Sequence, residues 1–172
     1  MLKLAGLAND SIVDGPGIRL GVFCQGCPHH CPGCQNPETW AFSGGTELSA
    51  EKILSIVKQN PLCRGVTFSG GEPFSQAQEL TVLAKLLRAE HYEIASYSGY
   101  TFEELMSGEV LFAKELLGEL DVLVDGRFLL AERTLELRFR GSRNQRVLDV
   151  PKSLAAGAAV LCTEERWVGM HE

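Results

Sequence analysis

Residues 65–98 read GVTFSGGEPFSQAQELTVLAKLLRAEHYEIASYS, and this stretch decides the fold. Gly65 to Ser69 is a short apolar run that stops on Gly70-Gly71-Glu72-Pro73, the mark of a buried strand ending in a turn. Ser75 and Gln78 form a capping-box pattern, after which Leu80, Leu83, Leu86 and Leu87 fall on one helical face. Glu93 to Tyr97 reads as the next strand. Strand, helix and strand in this space predict a βαβ unit with parallel strands.

The same alternation extends in both directions. Ile18 to Phe23 is a buried-strand pattern that runs straight into a cysteine loop. Ser49 can cap a helix whose Ile53, Leu54, Ile56 and Val57 share a face. Thr101 and Glu104 make a second capping box and open a helical stretch to about Leu117. Asp121 to Val124 is a further strand, closed by Asp125-Gly126. Leu135 to Phe139 alternates like a fifth strand, and Ala158 to Cys162 is a candidate sixth. The expected fold is α/β: a partial (βα) barrel of about five to six mainly parallel strands, open on one side. At 172 residues the chain is too short for a closed eightfold barrel of about 250 residues. With no repeat, linker or low-complexity segment, residues 1–172 are read as one domain. Polar or glycine-rich loops follow the strand ends, the edge where α/β folds bind ligands.

The loop after the first of these strands holds four of the six cysteines: Cys24-Gln-Gly-Cys27-Pro-His-His-Cys31-Pro-Gly-Cys34. Cys27, Cys31 and Cys34 are spaced C-x3-C-x2-C. Three thiolates on so short a loop can hold one corner of a cubane iron–sulfur cluster and leave its fourth iron open. A structural zinc site is the alternative, but its two CxxC knuckles usually lie a dozen or more residues apart. Here they are separated by three. Cys24, at a strand end, reads as a small core residue, and His29 and His30 read as loop or solvent residues. Gly70 and Gly71 allow backbone to approach a ligand closely, and Glu72 can accept from an ammonium group.

Composition narrows the setting. Apolar residues make up 45% and charged residues 22%, and the net charge of −6 argues against nonspecific nucleic-acid binding. No apolar run approaches the roughly 20 residues of a membrane span. The N-terminus meets Asn9 and Asp10 too soon for a signal peptide, so the expected location is the cytoplasm, where clustered cysteines favour metal ligation over disulfides. One stretch opposes the overall charge. From Arg127 to Arg146, six arginines face only Glu132 and Glu136. That segment is either a solvated strand and loop or an arginine-lined mouth for an anionic ligand or acidic partner.

Taken together, these residues resemble the radical S-adenosylmethionine (SAM) enzymes. Cys27-x3-Cys31-x2-Cys34 is similar to their cluster motif, and Ser69-Gly-Gly-Glu-Pro73 to the segment that contacts the SAM amine. Within that superfamily the resemblance is to the activating proteins of anaerobic (class III) ribonucleoside-triphosphate reductases. It is carried by Asp14-Gly-Pro-Gly-Ile-Arg19, Phe23-Cys-Gln-Gly-Cys27, Cys31-Pro-Gly-Cys34-Gln-Asn36, Thr39-Trp40, Ser98-Gly-Tyr-Thr-Phe-Glu-Glu-Leu105, Asp125-Gly-Arg-Phe128 and Arg140-Gly-Ser-Arg-Asn-Gln-Arg146. It spans about residues 9 to 154. Two features depart from the wider pattern. Gly33 stands where an aromatic residue often precedes the third cysteine, which leaves shielding of the cluster to Trp40 or Phe23. Only Cys63 and Cys162 remain outside the loop, so no auxiliary cluster is expected.

The resemblance implies a radical SAM type of partial barrel, a [4Fe–4S] cluster on Cys27, Cys31 and Cys34, and SAM on the fourth iron. It implies that Ser69, Gly70, Gly71 and Glu72 seat the methionine amine, and that Ser96, Ser98, Asp125 and Arg127 meet the rest of the cofactor. The implied reaction cleaves SAM reductively and installs a glycyl radical on the reductase, with a one-electron donor such as flavodoxin or ferredoxin. An activase of another glycyl-radical enzyme, of the pyruvate formate-lyase type, carries the same motifs. A non-catalytic zinc or iron–sulfur module, for interaction or electron transfer, is the reading from a different class.

Overall fold

In the computed structural model, which describes residues 1–170, a single seven-stranded sheet organises the chain. Its strands are β1 (Leu2–Ser11), β2 (Arg19–Cys24), β3 (Thr46–Leu48), β4 (Gly65–Gly70), β5 (Glu93–Ser98), β6 (Val122–Asp125) and β7 (Arg146–Asp149), in the order β3-β1-β2-β4-β5-β6-β7. The four central strands, β2, β4, β5 and β6, are parallel, while β1, β3 and β7 add antiparallel flanks. The sheet does not close on itself. The expectation of an α/β sheet with a parallel centre therefore holds, with more strands and more antiparallel pairing than the sequence reading gave.

The central strands are buried on both faces, as parallel strands usually are. One face is largely apolar, while the other mixes Ala95, Val122 and Val124 with buried Arg19 and Thr67. Leu20, Val22, Val66, Phe68, Ile94 and Leu123 are all 2% exposed or less. Each contributes about 1.5–3 kcal/mol by leaving water. Helices α1 (Ala50–Lys58) and α2 (Ala77–Ala89) cover one face through Ile53, Val57, Leu80, Leu83 and Leu87. A smaller cluster of Ala95, Val122, Val124, Val147, Cys162 and Trp167 lies apart from that core, with Tyr97 and Phe139 packed against it.

Of the three helix caps expected from the sequence, two form. Ser49 caps α1 by accepting from Lys52 N, and Thr101 with Glu104 closes a true capping box on α3 (Phe102–Met106). The pair Ser75 and Gln78 caps nothing. Glu72 instead accepts from Phe74 N and starts a 3-10 turn at Pro73, so α2 begins only at Ala77. The helix expected from Thr101 to Leu117 is two pieces, α3 and α4 (Ala113–Leu117), parted near Gly108 at φ 92°.

Three strands were not foreseen, and two expected ones are absent as ladders. The additions are β1, β3 and β7. Leu135 to Phe139 forms no strand: a lone bridge joins Arg133 to Ser142, and Leu135 is 86% exposed. Ala158 to Cys162 makes only the bridge Leu148–Leu161. Two short helices complete the chain, α5 (Val150–Ala156) and α6 (Glu165–Val168). No helix among the described residues is long and apolar enough to cross a membrane.

Candidate cluster and cofactor site

Because β2, β4, β5 and β6 run parallel, their C-terminal ends meet on one edge, and four loops leave the sheet there together. The register places Cys24 beside Gly70, and Ser98 beside Asp125. The cysteine loop is fixed by Gly26 N donating to Thr39 O and Cys27 N donating to Trp40 O. It is joined to the next loop by Gly71 N on Cys24 O and Glu72 N on Gly26 O, both 2.8 Å. A Cβ on Gly71 would sit 2.3 Å from the Gly26 carbonyl, so only glycine permits this approach.

The result is a cavity of about 690 Å³. Cys27, Cys31 and Cys34 line it with Ser69, Gly70, Gly71 and Ser98. All six cysteines are free thiols. Burial pushes the Cys27 and Cys31 thiols up, while neighbouring backbone N–H groups pull them back. Iron binding would displace those protons, since thiolate is the ligand. Cys34 already accepts a backbone N–H, from Asn36 at 3.4 Å, the kind of contact that supports a cluster thiolate. Among the described residues no three His, Cys, Asp or Glu side chains converge on one ion position. A cubane needs no such convergence, because each thiolate takes a different iron. The indole N–H of Trp40 is buried with no partner, and Trp40 and Phe23 both line the cavity. Cys24 is fully buried, lies off the cavity wall and has its thiol pushed far up by desolvation.

The remaining candidates divide. Glu72 is wholly buried and does not line the cavity. Its carboxylate accepts from Phe74 N, Ser98 Oγ, Gly99 N and His29 Nε2, at 2.7–3.0 Å. Those four bonds occupy it, so the ligand-facing groups of this turn are the backbone and Ser69. Ser96 is fully buried, turns its hydroxyl to the Tyr97 carbonyl and is also off the cavity wall. Asp125 and Arg127 line an adjoining hollow of about 460 Å³, which shares Gly99 and Gly126 with the main cavity. Asp125 is gripped by Arg146 and caps α3 through Phe102 N.

Two features escaped the sequence reading. His29 is not a solvent residue: its side chain is 4% exposed and bonded to Glu72. The arginine-glycine-serine segment acts largely as scaffold. Asn144 donates to the Arg127 carbonyl and Gln145 to that of Gly126, while Gln145 Oε1 accepts from Gly141 N and Ser142 N. Arg146 pairs with both Asp125 and Glu103, which raises its pKa. Arg140, Gly141 and Gln145 reach the cavity wall.

Comparison with known proteins agrees with this geometry. Residues 13–148 match the family described as a 4Fe-4S single cluster domain. Over 142 residues the chain is 37% identical to the anaerobic ribonucleoside-triphosphate reductase-activating protein of Vibrio cholerae, spanning 78% of this chain and 89% of that protein. The chain belongs to the family of these activating proteins. The relative of that name from Escherichia coli K12 is 33% identical, across 78% of this chain and 90% of its own length. The pyruvate formate-lyase-activating enzyme of Clostridium pasteurianum is 39% identical over 115 residues, but the match covers only 48% of it. Members of this activating family are radical SAM enzymes with an iron–sulfur cluster. The three free thiols on one cavity wall, the thiol-bound Asn36 N–H and the glycine cradle beside them suit that pair of cofactors.

Proposed function

We propose that the chain activates an anaerobic ribonucleoside-triphosphate reductase by installing a glycyl radical on it. The observation that carries this reading is that Cys27, Cys31 and Cys34 share one cavity with the Ser69-Gly70-Gly71 backbone and Ser98. When bound, the cluster and SAM supply reductive cleavage of the sulfonium and so a carbon radical able to take hydrogen from a glycine Cα.

Within this reading, Cys27, Cys31 and Cys34 hold three irons, and the backbone of Ser69, Gly70 and Gly71 with the Ser98 hydroxyl meets the amino-acid end of SAM. Asp125 and Arg127, on the adjoining hollow, hold the loop that faces the ribose or carboxylate. Glu72 and Ser96 act from behind the wall. Trp40, Phe23 and Tyr97 keep the pocket apolar, which limits water and stray hydrogen donors. The fold is a partial barrel of the radical SAM type in a single domain, residues 1–172, of which the last two lie outside those described. The setting is the cytoplasm, and the electron donor is a flavodoxin or ferredoxin.

The pyruvate formate-lyase type of target is the second reading, favoured by the 39% identity to one such activase. Coverage separates the two: the match takes in 89% of the Vibrio cholerae reductase activator and 48% of the lyase activator. The test mixes the reconstituted protein with SAM, a reductant and the anaerobic reductase under strict exclusion of oxygen. A glycyl-radical signal in electron paramagnetic resonance supports the proposal. SAM cleavage without a radical on the reductase points to another target, and no cleavage at all would remove the enzyme reading.

A further inference from the structure

The geometry points to His29 as a positioning residue that locks the cluster loop onto the seat for the SAM amine. The inference rests on the cofactor assignment above and adds a residue to it. His29 sits between two of the three cysteines in sequence, but its imidazole leaves the loop and enters the neighbouring ones. Nε2 lies 2.7 Å from Glu72 Oε2, and Nδ1 lies 3.3 Å from Arg127 Nε. Arginine can only donate, so Nδ1 is the acceptor and the proton sits on Nε2, directed at the carboxylate. The imidazole therefore joins the loop after β2 to those after β4 and β6. Through Glu72, which also binds Ser98 Oγ and Gly99 N, it reaches the loop after β5.

Three further contacts fit this role. Tyr100 packs edge-on against the ring at 4.5 Å. Gly99 supplies the space: a Cβ there would fall 2.4 Å from His29 Cδ2. Glu72 N in turn binds Gly26 O, one residue before Cys27. The spacing of the thiolates and the position of the glycine backbone are thus set by one shared brace. Outer-shell partners of this kind hold first-shell ligands in place.

His29→Leu fills the ring's space without its hydrogen bonds, and His29→Gln returns a donor at similar reach. Each protein is reconstituted with iron and sulfide, reduced, and titrated with SAM while the cluster spectrum is followed by electron paramagnetic resonance. Iron per chain and thermal unfolding are measured alongside. His29→Leu is expected to take up iron and to need about tenfold or more SAM for the spectral change, with His29→Gln recovering most of that loss. Gly99→Ala, whose Cβ would drive the imidazole from its place, is expected to reproduce the defect in the wild-type background. Wild-type SAM affinity in His29→Leu overturns the inference, as does a His29→Gln protein with the full loss. A His29→Leu chain that cannot fold, paired with a folded His29→Gln of wild-type affinity, supports it. A wild-type protein that shows no SAM-dependent spectrum would instead overturn the cofactor assignment itself.

Discussion

The backbone N–H of Gly71 donates to the carbonyl of Cys24 at 2.8 Å, joining two loops whose parent strands end in register. This bond, with its neighbour from Glu72 N to Gly26 O, brings the thiols and the glycine cradle to one cavity wall. The approach leaves no room for a side chain at Gly71. Gly71→Ala is therefore expected to destabilise the protein by about 1–3 kcal/mol, the usual range for an overpacked buried site. Urea unfolding measures this, and iron uptake should fall with it. Wild-type stability with full iron content would show that the loops are not held by this contact.

Single alanine replacements should divide the four loop cysteines. Under the proposed assignment, in which each thiolate holds one iron, Cys27→Ala, Cys31→Ala and Cys34→Ala are each expected to abolish SAM cleavage. Cys24→Ala should keep cleavage and lose about 1 kcal/mol of stability, as a small group removed from a packed core. Deoxyadenosine release and iron per chain are the readouts. Full cleavage by Cys31→Ala would sink the ligand assignment.

What the sequence made legible follows its local signals. The four parallel strands are short apolar runs closed by turns, and both Ser49 and the Thr101–Glu104 pair cap helices through bonds a few residues long. The flanks were harder. Leu2 and Leu4 are buried in β1, but Ala5 and Gly6 interrupt the alternation, and the strand exists because β2 offers a partner. Leu135 to Phe139 has the alternation and lacks the partner; Phe139 at φ 56° turns the chain away, and its apolar side chains line the cavity instead. The cysteine spacing singled out Cys27, Cys31 and Cys34, three thiols that the structure brings to one cavity. It could not disclose what Glu72 does, because His29 lies 43 positions before it and Gly99 27 positions after.

Those distant partners lead to a prediction about Glu72. Two N–H donors, from Gly99 and His29, converge on Oε2, and two further donors on Oε1. Glu72→Gln keeps the shape but sets an NH2 group against two of these donors. It should cost about 2 kcal/mol or more, since buried donors are left unpaired. Ser98→Ala removes a single bond and should cost about 1 kcal/mol. Denaturant titration of the metal-free chains compares them. A neutral Glu72→Gln would mean that the carboxylate faces the ligand after all.

Cys24 ties stability to alkaline pH. Its thiol is completely buried, and desolvation, with a smaller push from the charge on Glu72, raises its pKa far above the ordinary 9.0. Below that ordinary value the folded and unfolded chains both hold the proton, and the contribution is fully present. Above it the unfolded chain releases the proton while folded Cys24 keeps it. Stability therefore falls as pH rises, by up to about 1.4 kcal/mol per pH unit for this one group, and continues to fall until folded Cys24 ionises. Cys27 and Cys31 shift the same way, so the informative quantity is a difference between proteins. Unfolding midpoints of metal-free wild type and Cys24→Ala, taken on either side of 9.0, should show the steeper alkaline loss in wild type. Parallel curves would mean that water reaches Cys24 in the folded chain.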